Sequence, residues 1–466
     1  MARLTTLILA GGKGKRMKSD LVKVLHPIMG KSMLSYPVEA SLEGLGSPKT
    51  IVVVGHQAKR IQDAFSDNRL TFVHQKPQLG SGHAVLCAEE AFRGYDGTIL
   101  ILCGDVPLVK TKTLKELVAF HRRLRATLTV ATTRLTDPSG YGRVIRREGD
   151  DIEKIVEDED ASSQVSKIEE VNTGLYCVEA SFLFPALKQV RSNNRQGEYY
   201  LTDIVEIGRK ENRKVVAFHV SDADQFLGIN TRVDLARAHE VVRDRYLRKW
   251  MLDGVTIIDP NTTYIEAGVI MGKDTVVYAN CVIQGETAIG SHCSIGPNCL
   301  IRDSKIGDGV TVRAFSVIEE SGIARGALIG PFSRLRPQSQ ISEDAKVGNF
   351  VEIKKSLIGK GSKANHLAYI GDATLGEKVN IGAGTIFCNY DGIEKHPTIV
   401  GKGVFVGSNA ELVAPLRIGN DAVVGAGSTI TRDVPDKSLA VSRAKQKNIE
   451  GWGEKRIKKK PLRRDD

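Results

Sequence analysis

The chain has 466 residues, and at about 100–200 residues per domain this length predicts two or three domains. Hydrophobic residues make up 41% and charged residues 26% of it, and no apolar run reaches the roughly 18 residues that a membrane helix needs. The net charge is +11, but residues 454–466 alone carry seven basic and three acidic side chains. We therefore expect neither membrane insertion nor a nucleic-acid partner.

The cysteines and the N-terminal residues bear on the cellular compartment. Seven cysteines are scattered without a CxxC pair, which favours reduced thiols over a disulfide framework. The first ten residues lead into a Gly/Lys-rich loop and show no signal-peptide cleavage site. The expected location is the cytoplasm.

The first 230 residues alternate short β-branched runs with polar segments of helical length. The clearest runs are residues 7–9, 51–54, 99–102, 127–132, 174–178 and 215–220. Such alternation predicts a parallel sheet covered by helices. From residue 231 to residue 250 there is neither Gly nor Pro, and apolar residues recur at helical spacing, which predicts one connecting helix.

The rest of the chain has a six-residue rhythm. Aliphatic residues, often followed by Gly, recur at Ile265, Met271, Val277, Ile283, Ile289, Ile295 and Ile301, at Ile323, Ile329, Leu335, Ile341, Val347 and Ile353, and at Val400, Val406, Leu412, Ile418, Val424 and Ile430. A period of six predicts a β-solenoid with three short faces per coil, in which glycine accepts positive φ at the corners. We expect one break in the register, an insertion over residues 384–397 that is either a neutral loop or a site.

A glycine-rich segment follows the first predicted strand. Residues 9–17 read LAGGKGKRM, and Lys23 lies a few positions further on. Glycines at a strand-to-helix turn let backbone N–H groups approach phosphates, and Arg16 and Lys23 would offset the phosphate charge. The segment is neither a Walker A loop nor a GxGxxG fingerprint, so taken alone it is equally compatible with a structural turn.

Further motifs in this half point to a nucleotide and a metal ion. They are QKPQLGSGH (75–83), Gly104-Asp105, GYGR (140–143), Glu157, Asn172-Thr173-Gly174 and Gly228-Ile229-Asn230. A lone carboxylate such as Asp105 at the end of a strand is a reasonable Mg²⁺ ligand, because Mg²⁺ takes one or two protein oxygens and fills its other positions with water and phosphate.

A second group of reactive residues lies in the repeat region. It comprises Arg336, Glu352, Lys354, His366, Tyr369, Asn380, Asn389 and Tyr390. Glu352 and Lys354 are two positions apart, so a strand presents both on one face. A neutral His366 can take the proton from an attacking amine, and Glu352, if close to it, would orient the ring. A lone histidine in a solenoid is often structural, and that alternative stays open at this point.

In this order, the motifs of the first half resemble the sugar-nucleotidyltransferase family over residues 1 to about 232. The resemblance implies an α/β Rossmann-like domain in which a sugar-1-phosphate oxygen attacks the α-phosphorus of a nucleoside triphosphate and pyrophosphate leaves. It assigns Asp105 and Asn230 to Mg²⁺ and gives Arg16 a catalytic role. It assigns Leu9, Ala10, Gly11, Gly12, Lys23, Gln75, Gly80 and Ser81 to the nucleotide, and Gly142, Glu157 and Asn172 to the sugar. Lys15 stands where the family usually has Thr or Ser.

Over residues 5 to about 453 the chain resembles a family of bacterial bifunctional uridylyltransferase–acetyltransferases. The strings that carry this resemblance are KKSLIGKGSKANHLAYIGDA (354–373), VNIGAGTIFCNYDG (379–392) and TRDVPDKSLAVSR (431–443). The resemblance implies a uridylyltransferase domain over 1–232 and a linker helix over 233–253. It implies a left-handed parallel β-helix of hexapeptide repeats, with a basic tail, over 254–466.

The same resemblance implies two reactions that make UDP-N-acetylglucosamine, which feeds peptidoglycan and lipopolysaccharide precursors. Acetyl-CoA acetylates glucosamine-1-phosphate, and UTP then uridylylates N-acetylglucosamine-1-phosphate. His366 is the implied base, and Arg336, Lys354, Tyr369 and Asn380 are the implied sugar-phosphate contacts. Acetyl-CoA is assigned to Ala383, Asn389, Tyr390, Ser408, Ala426 and Arg443. Family members are homotrimers with shared acetyltransferase sites. Asn365 stands where Gly is common.

Two other functions are compatible with parts of the sequence. One is a nucleotidyltransferase whose solenoid only regulates or oligomerises, as in ADP-glucose pyrophosphorylase-like proteins. His366, Lys354 and Asn389-Tyr390 argue against it, because a scaffold has no need of them. The other is a non-enzymatic basic scaffold, which the glycine-rich loop and Asp105 disfavour.

Overall fold

The computed structural model describes residues 3–147 and 149–457. The chain divides into two compact units, and the division falls between Arg245 and Tyr246. Most of the basic tail lies outside the described residues. Among the helices in the described part of the chain, none is both long and apolar enough to cross a membrane.

The first unit is built on one large mixed sheet. Its strands, with the small hairpin β2–β3 that lies apart from the sheet, are β1 (Leu4–Ala10), β2 (Pro27–Ile28), β3 (Lys31–Ser32), β4 (Thr50–Val54), β5 (Leu70–His74), β6 (Thr98–Cys103), β7 (Leu128–Arg134), β8 (Arg143–Arg146), β9 (Ile152–Val156), β10 (Glu170–Glu179) and β11 (Val215–His219). The strand order is β11-β7-β10-β6-β1-β4-β5, with the β8–β9 hairpin paired to β10.

The prediction of a parallel sheet is wrong for β10, which runs antiparallel to both β6 and β7. The chain between β7 and β10 forms the β8–β9 hairpin rather than a crossover helix. A parallel neighbour needs such a crossover, whereas an antiparallel neighbour does not. The remaining pairs β1–β4, β1–β6, β4–β5 and β7–β11 are parallel.

Helices cover both faces of this sheet. They are α1 (Ser35–Glu39), α2 (Ala58–Asp63), α3 (Ser81–Leu86), α4 (Thr111–Leu124), α5 (Ala180–Leu187) and α6 (Asp203–Lys210). All five residues of β4 are buried, as expected for a strand that is covered on both faces. The carboxyl ends of β1, β4, β5 and β6 therefore meet at one edge of the sheet, and the loops that follow them are free to form a site.

Two more helices follow in chain order. Helix α7 (Arg232–Leu252) runs across the division between the units, and α8 (Trp452–Ile457) ends the described chain. The predicted domain boundaries at residues 232 and 253 stay a prediction.

The second unit is a parallel β-helix of the left-handed kind that hexapeptide repeats build, with three sheets of very short strands. Face 1 consists of Thr256–Ile257, Val276–Val277, Ser294–Ile295, Thr311–Val312, Leu328–Ile329, Lys346–Asn349, Lys363–His366, Asn380–Ile381, Phe405–Val406, Val423–Val424 and Leu439–Ala440. Face 2 consists of Tyr264–Ile265, Val282–Gln284, Leu300–Arg302, Val317–Glu319, Arg334–Leu335, Glu352–Lys354, Tyr369–Gly371, Ile386–Cys388, Glu411–Val413 and Thr429–Ile430. Face 3 consists of Ile270–Met271, Ala288–Ile289, Lys305–Ile306, Gly322–Ile323, Gln340–Ile341, Leu357–Ile358, Ala373–Leu375, Thr398–Val400 and Leu416–Ile418.

The aliphatic residues of the six-residue repeat fill the interior of the coils. Every one that the sequence singled out is at most 7% exposed. Neighbouring coils place them in register, so that Ile265 pairs with Ile283 and Ile283 with Ile301. The packing of this aliphatic column stabilises the β-helix, because burial of each side chain contributes roughly 1.5–3 kcal/mol.

The expectation of a single break in the register is wrong. Ile301 and Ile306 are five positions apart, and the same shorter step recurs at the corner between faces 2 and 3 on three other coils. A residue with positive φ closes each of these corners, at Asp303, Glu320, Lys355 and Asp372. The interior column stays in register across these shorter steps, since Ile301 pairs with Ile318 and Ile306 with Ile323.

Candidate active sites

The loop after β1 has the geometry expected of a phosphate-binding turn. Gly14 has φ 59° and precedes a short 3₁₀ turn, Lys15–Met17. A side chain at Gly11 would meet the side-chain amide oxygen Oε1 of Gln75 at 2.8 Å, so the loop packs closely on Gln75. The Gln75 amide in turn donates to the Gly80 carbonyl at 2.9 Å.

A cavity of about 540 Å³ opens at this edge of the sheet. Its lining includes seven of the residues predicted from the sequence: Leu9, Gly11, Gly12, Gln75, Gly80, Ser81 and Asp105. Gln78 and Glu198 also line it and were not predicted. Gln78 lies within the motif QKPQLGSGH and donates to the Gly11 carbonyl, whereas no local pattern marks Glu198.

Two residues predicted for the first active site, Ala10 and Arg16, do not line this cavity. The Ala10 side chain is buried in the core, so only its backbone is available to a ligand. Arg16 lines a different cavity of about 700 Å³, which it shares with Asn230 and Tyr141.

Asp105 and Asn230, the predicted metal ligands, converge on one point. The Lys23 ammonium lies 2.5 Å from Asp105 Oδ2 and 3.2 Å from Asn230 Oδ1. The two loops are also tied by a backbone bond of 2.9 Å from the Ile229 N–H to the Asp105 carbonyl. Within the described residues there is no cluster of three or more His, Cys, Asp or Glu for a metal. One carboxylate and one amide oxygen still fit Mg²⁺, which keeps several waters and takes phosphate oxygens.

The residues predicted to contact the sugar form one cluster. The Asn172 N–H donates to the Gly142 carbonyl at 2.8 Å, and a side chain at Gly142 would meet the Glu157 carboxylate at 3.3 Å. Glu157 accepts from the Thr202 hydroxyl at 2.8 Å. Burial and the nearby carboxylates of Asp160, Asp158 and Glu198 raise the pKa of Glu157. The carboxylates of this pocket accept hydrogen bonds from hydroxyl groups and repel phosphate. The pocket therefore favours the hydroxyl-bearing part of a ligand.

In the second unit, His366 lies at the end of its face 1 strand, where it is exposed. Its Nδ1 is 2.9 Å from the side-chain oxygen of Asn349, the residue that pairs with it on the neighbouring coil. The amide oxygen accepts from Nδ1–H in this arrangement, so Nε2 keeps its lone pair for a substrate.

The expectation that Glu352 orients His366 is not supported by the contacts of either residue. Glu352 instead accepts from the Arg336 guanidinium at 2.9 Å. Glu352 belongs to face 2, where it pairs with Tyr369 in the register, and Arg336 directly follows the face 2 strand Arg334–Leu335. Glu352 therefore positions Arg336, and Asn349 positions the histidine. Sequence reasoning missed Asn349 because it lies 17 residues from His366 and carries no motif of its own.

Cationic and polar groups gather on face 2 beside the inserted loop. Glu352 and Lys354 flank the buried Ile353 and share one face, as predicted. The Asn389 amide donates to Asp372 at 2.5 Å and lies 3.5 Å from the Tyr369 hydroxyl.

The inserted loop is an ordered hairpin that brings a further lysine to this group. Tyr390 and Lys395 form an isolated antiparallel bridge. The Lys395 ammonium lies against that of Lys354, which lowers the pKa of Lys395. Two adjacent ammonium groups attract an anion, and Lys395 was not among the predicted site residues although it lies in the predicted insertion over residues 384–397.

The predicted acetyl-CoA contacts form a column at one corner of the β-helix. Ala383, Ser408 and Ala426 follow Gly382, Gly407 and Gly425 at the corner between faces 1 and 2 on three successive coils. The Arg443 guanidinium donates to the Ala426 carbonyl at 2.8 Å. Small side chains beside a cation suit a long anionic ligand that lies along the coils. Asn380 belongs to face 1, whereas Lys354 and Tyr369 belong to face 2.

The two units thus have the architecture of a nucleotidyltransferase fused to a hexapeptide-repeat transferase. The nucleotidyl transferase family model matches residues 5–251, more than half of the chain. Models described as bacterial transferase hexapeptide (six repeats) and hexapeptide repeat of succinyl-transferase match residues 268–303 and 397–432.

Full-length relatives narrow this class to one family. Bifunctional protein GlmU of Pelobacter propionicus is 48% identical over 461 residues, which cover 99% of this chain and 100% of the relative. Bifunctional protein GlmU of Thermoanaerobacter pseudethanolicus is 49% identical over 459 residues, which cover 98% and 99%. The chain belongs to the GlmU family of bifunctional proteins. It is an enzyme with nucleotidyltransferase and acetyltransferase activities, as the resemblance predicted.

Proposed function

We propose that the chain makes UDP-N-acetylglucosamine by two reactions at the two sites described above. The second unit acetylates glucosamine-1-phosphate from acetyl-CoA, and the first unit uridylylates the product from UTP. The observation that carries the proposal is that one chain holds both a glycine-lined cavity beside Asp105 and a β-helix with a histidine on face 1 and a cationic cluster on face 2.

In acetyl transfer, Nε2 of His366 takes the proton as the substrate amine attacks the thioester carbon. The CoA thiolate then leaves and is protonated. A positioned base of this kind contributes typically about 10²–10⁴-fold to the rate. Arg336, Lys354 and Lys395 bind the sugar phosphate, and Tyr369 and Asn380 complete that contact. Asn389 and Tyr390, the column Ala383, Ser408 and Ala426, and Arg443 bind acetyl-CoA.

In uridylyl transfer, a phosphate oxygen of N-acetylglucosamine-1-phosphate attacks the α-phosphorus of UTP, and pyrophosphate leaves. The nucleophile is already anionic, so the protein supplies position and positive charge rather than a base. The nucleotide is held by Leu9, Ala10, Gly11, Gly12, Gln75, Gly80 and Ser81, and Arg16 and Lys23 neutralise phosphate charge. Gly142, Glu157 and Asn172 hold the sugar.

We assign the metal of this reaction to Mg²⁺, held by Asp105 and Asn230. Their oxygens converge on one point, and both are hard donors of the kind that Mg²⁺ prefers. When bound there, Mg²⁺ supplies additional positive charge to the triphosphate.

We further propose a cytoplasmic homotrimer. All seven cysteines are free, which suits a reducing compartment. Three phenylalanines on successive coils, Phe315, Phe332 and Phe350, stack with ring centroids 4.9 and 5.3 Å apart, and each is about half exposed. An exposed apolar column of this kind favours contact with another copy, and the division of the acetyltransferase residues between two faces favours a site completed by that copy.

Separate substitutions at the two sites test the proposal. His366→Ala should abolish release of free CoA thiol with glucosamine-1-phosphate and leave pyrophosphate release from UTP and N-acetylglucosamine-1-phosphate intact. Asp105→Ala should do the reverse. Loss of both activities in either well-folded variant would contradict the assignment of two independent sites.

A further inference from the structure

The ammonium of Lys23 stands where the metal ion of the first site is assigned. It contacts Asp105 Oδ2 at 2.5 Å and Asn230 Oδ1 at 3.2 Å, the two oxygens that converge there. The opposite end of the Asn230 amide donates to the Gly228 carbonyl at 3.4 Å. The amide oxygen is therefore directed at Lys23.

The stem of Lys23 is held in place as well as its charged end. Lys23 is only 8% exposed. A side chain at Gly14 would meet Lys23 Cβ at 2.6 Å, so the glycine-rich loop packs directly on the stem. A lysine on a buried stem keeps its ammonium at the two oxygens instead of extending into solvent.

An ammonium and a divalent cation cannot share two oxygen ligands. Mg²⁺ requires oxygens at 2.0–2.1 Å, which places it within the volume that the Lys23 ammonium occupies, and the two cations repel each other. Mg²⁺ can therefore enter only when Lys23 moves away, and an alternative anion nearby makes that movement favourable.

We propose that Lys23 is an internal counter-ion that closes the metal site of the nucleotide-free enzyme. The triphosphate offers Lys23 a new anionic partner, so metal and nucleotide bind together and free Mg²⁺ binds weakly on its own. This inference rests on the proposed assignment of the metal to Asp105 and Asn230.

Binding of Mn²⁺ to the nucleotide-free full-length chain, followed by the electron paramagnetic resonance signal of free Mn²⁺, tests this proposal. Lys23→Met removes the charge and keeps the length of the stem, and should bind Mn²⁺ at least about tenfold more tightly than the wild type. Lys23→Gln should show the same direction, which covers the case in which the first variant folds poorly. Adding Asp105→Asn to Lys23→Met should remove the gain.

Lys13→Met is the matched control, since Lys13 lines the same cavity and contributes the same charge. It should change Mn²⁺ affinity less than about twofold. Equal affinity of wild type and folded Lys23 variants, or an equal gain in Lys13→Met, would overturn the inference. Uridylyltransferase activity of the same wild-type preparation separates the two proposals, because its absence contradicts the proposed function, whereas activity with unchanged Mn²⁺ affinity contradicts only the role of Lys23.

Discussion

Asn349 is the neighbour that sets the ring orientation and the tautomer in which His366 can act. The amide oxygen 2.9 Å from Nδ1 fixes the tautomer that leaves Nε2 free. A positioned base contributes about 10²–10⁴-fold to the rate. Because Asn349→Ala removes only the group that orients the base, we expect it to lower kcat of acetyl transfer by about tenfold. The measurement is steady-state release of free CoA thiol.

Asn349→Asp provides the informative control, because a carboxylate also accepts from Nδ1–H. It should retain most of the activity, and its charge should move the acidic limb of the pH–rate profile to higher pH by stabilising the imidazolium. Unchanged kcat in Asn349→Ala would show that the bond does not position the ring.

Asp203, at the start of α6, is a partly buried carboxylate that lies near other carboxylates. Burial and the nearby carboxylates of Glu157, Glu206 and Asp160 raise its pKa to about 6. The folded state thus holds the proton more tightly than the unfolded state, in which the pKa is about 3.9. This group's contribution to stability is fully present below about pH 4 and is lost as the pH rises through 6.

Asp203→Asn should therefore stabilise the protein at neutral pH. We expect a gain of about 1 kcal/mol at pH 7.5, discounted because the carboxyl is partly exposed and because an acid at a helix N-terminus is itself favourable. Thermal melting at pH 7.5 and at pH 4 measures it, and the gain should vanish at pH 4. A lower melting temperature at pH 7.5 would show that the helix terminus outweighs the repulsion.

Among the elements, the inserted loop depends most on a single side chain. Asp391 accepts from the Ile393 N–H at 2.8 Å, the Glu394 N–H at 2.7 Å and the His396 ring at 2.7 Å. These bonds hold the pKa of Asp391 well below its usual range, so the contribution of this carboxylate is present above its unfolded-state pKa and is lost only in strong acid.

Asp391→Ala should release the hairpin that holds Lys395 beside Lys354. We expect the KM values for glucosamine-1-phosphate and acetyl-CoA to rise about five- to tenfold, because ordering the loop then costs binding energy. Uridylyl transfer should be unaffected. Glu394→Ala is the control, since it keeps the backbone bond to Asp391, and a similar rise in KM there would contradict the role of Asp391.

How far the sequence predicts each element depends on whether its cause is local. The aliphatic column from Ile265 to Ile430 was predictable because each coil repeats one pattern. The five-residue steps, such as that from Ile301 to Ile306, are also visible in the spacing, but a strict period of six does not include them. The reversed direction of β10 follows from pairing with distant strands.

The functional sites, too, were predictable where their cause is local in the sequence. The loop after β1, Asp105 and His366 carry local motifs and were predicted from them. Asn349 and Lys395 were missed, because one reaches its partner across neighbouring coils and the other through the hairpin. The role predicted for Glu352 at His366 stays a prediction, and the contact that this chain shows for Glu352 is with Arg336 on the preceding coil.

At the scale of the whole molecule, the phenylalanine column is the feature that this chain alone does not explain. Phe315, Phe332 and Phe350 have φ of 59°, 54° and 58°, a conformation that costs a bulky residue roughly 1–2 kcal/mol. Asn280, Asn298 and Asn409 occupy the equivalent corner position on other coils, where asparagine accepts this conformation more readily. Phenylalanine at a strained and exposed position indicates a contact outside the chain.

Phe332→Asn, alone and combined with Phe315→Asn and Phe350→Asn, should weaken the proposed homotrimer without unfolding the β-helix. Sedimentation at several protein concentrations should show smaller species than the wild type, and acetyl transfer should fall together with trimer content while uridylyl transfer persists. Ile270→Asn, a change at an exposed face 3 position away from the column, is the control. A wild type that is monomeric, or a triple variant that remains trimeric, would contradict the role of the column.

By the function proposed above, one chain performs both reactions in sequence. The most direct measurement incubates the purified full-length protein with glucosamine-1-phosphate, acetyl-CoA, UTP and Mg²⁺ and follows the sugar nucleotide formed. We predict UDP-N-acetylglucosamine, with one free CoA thiol and one pyrophosphate released for each molecule made. Formation of pyrophosphate only when N-acetylglucosamine-1-phosphate is supplied, with no consumption of acetyl-CoA, would contradict the account and would reduce the β-helix to a regulatory module.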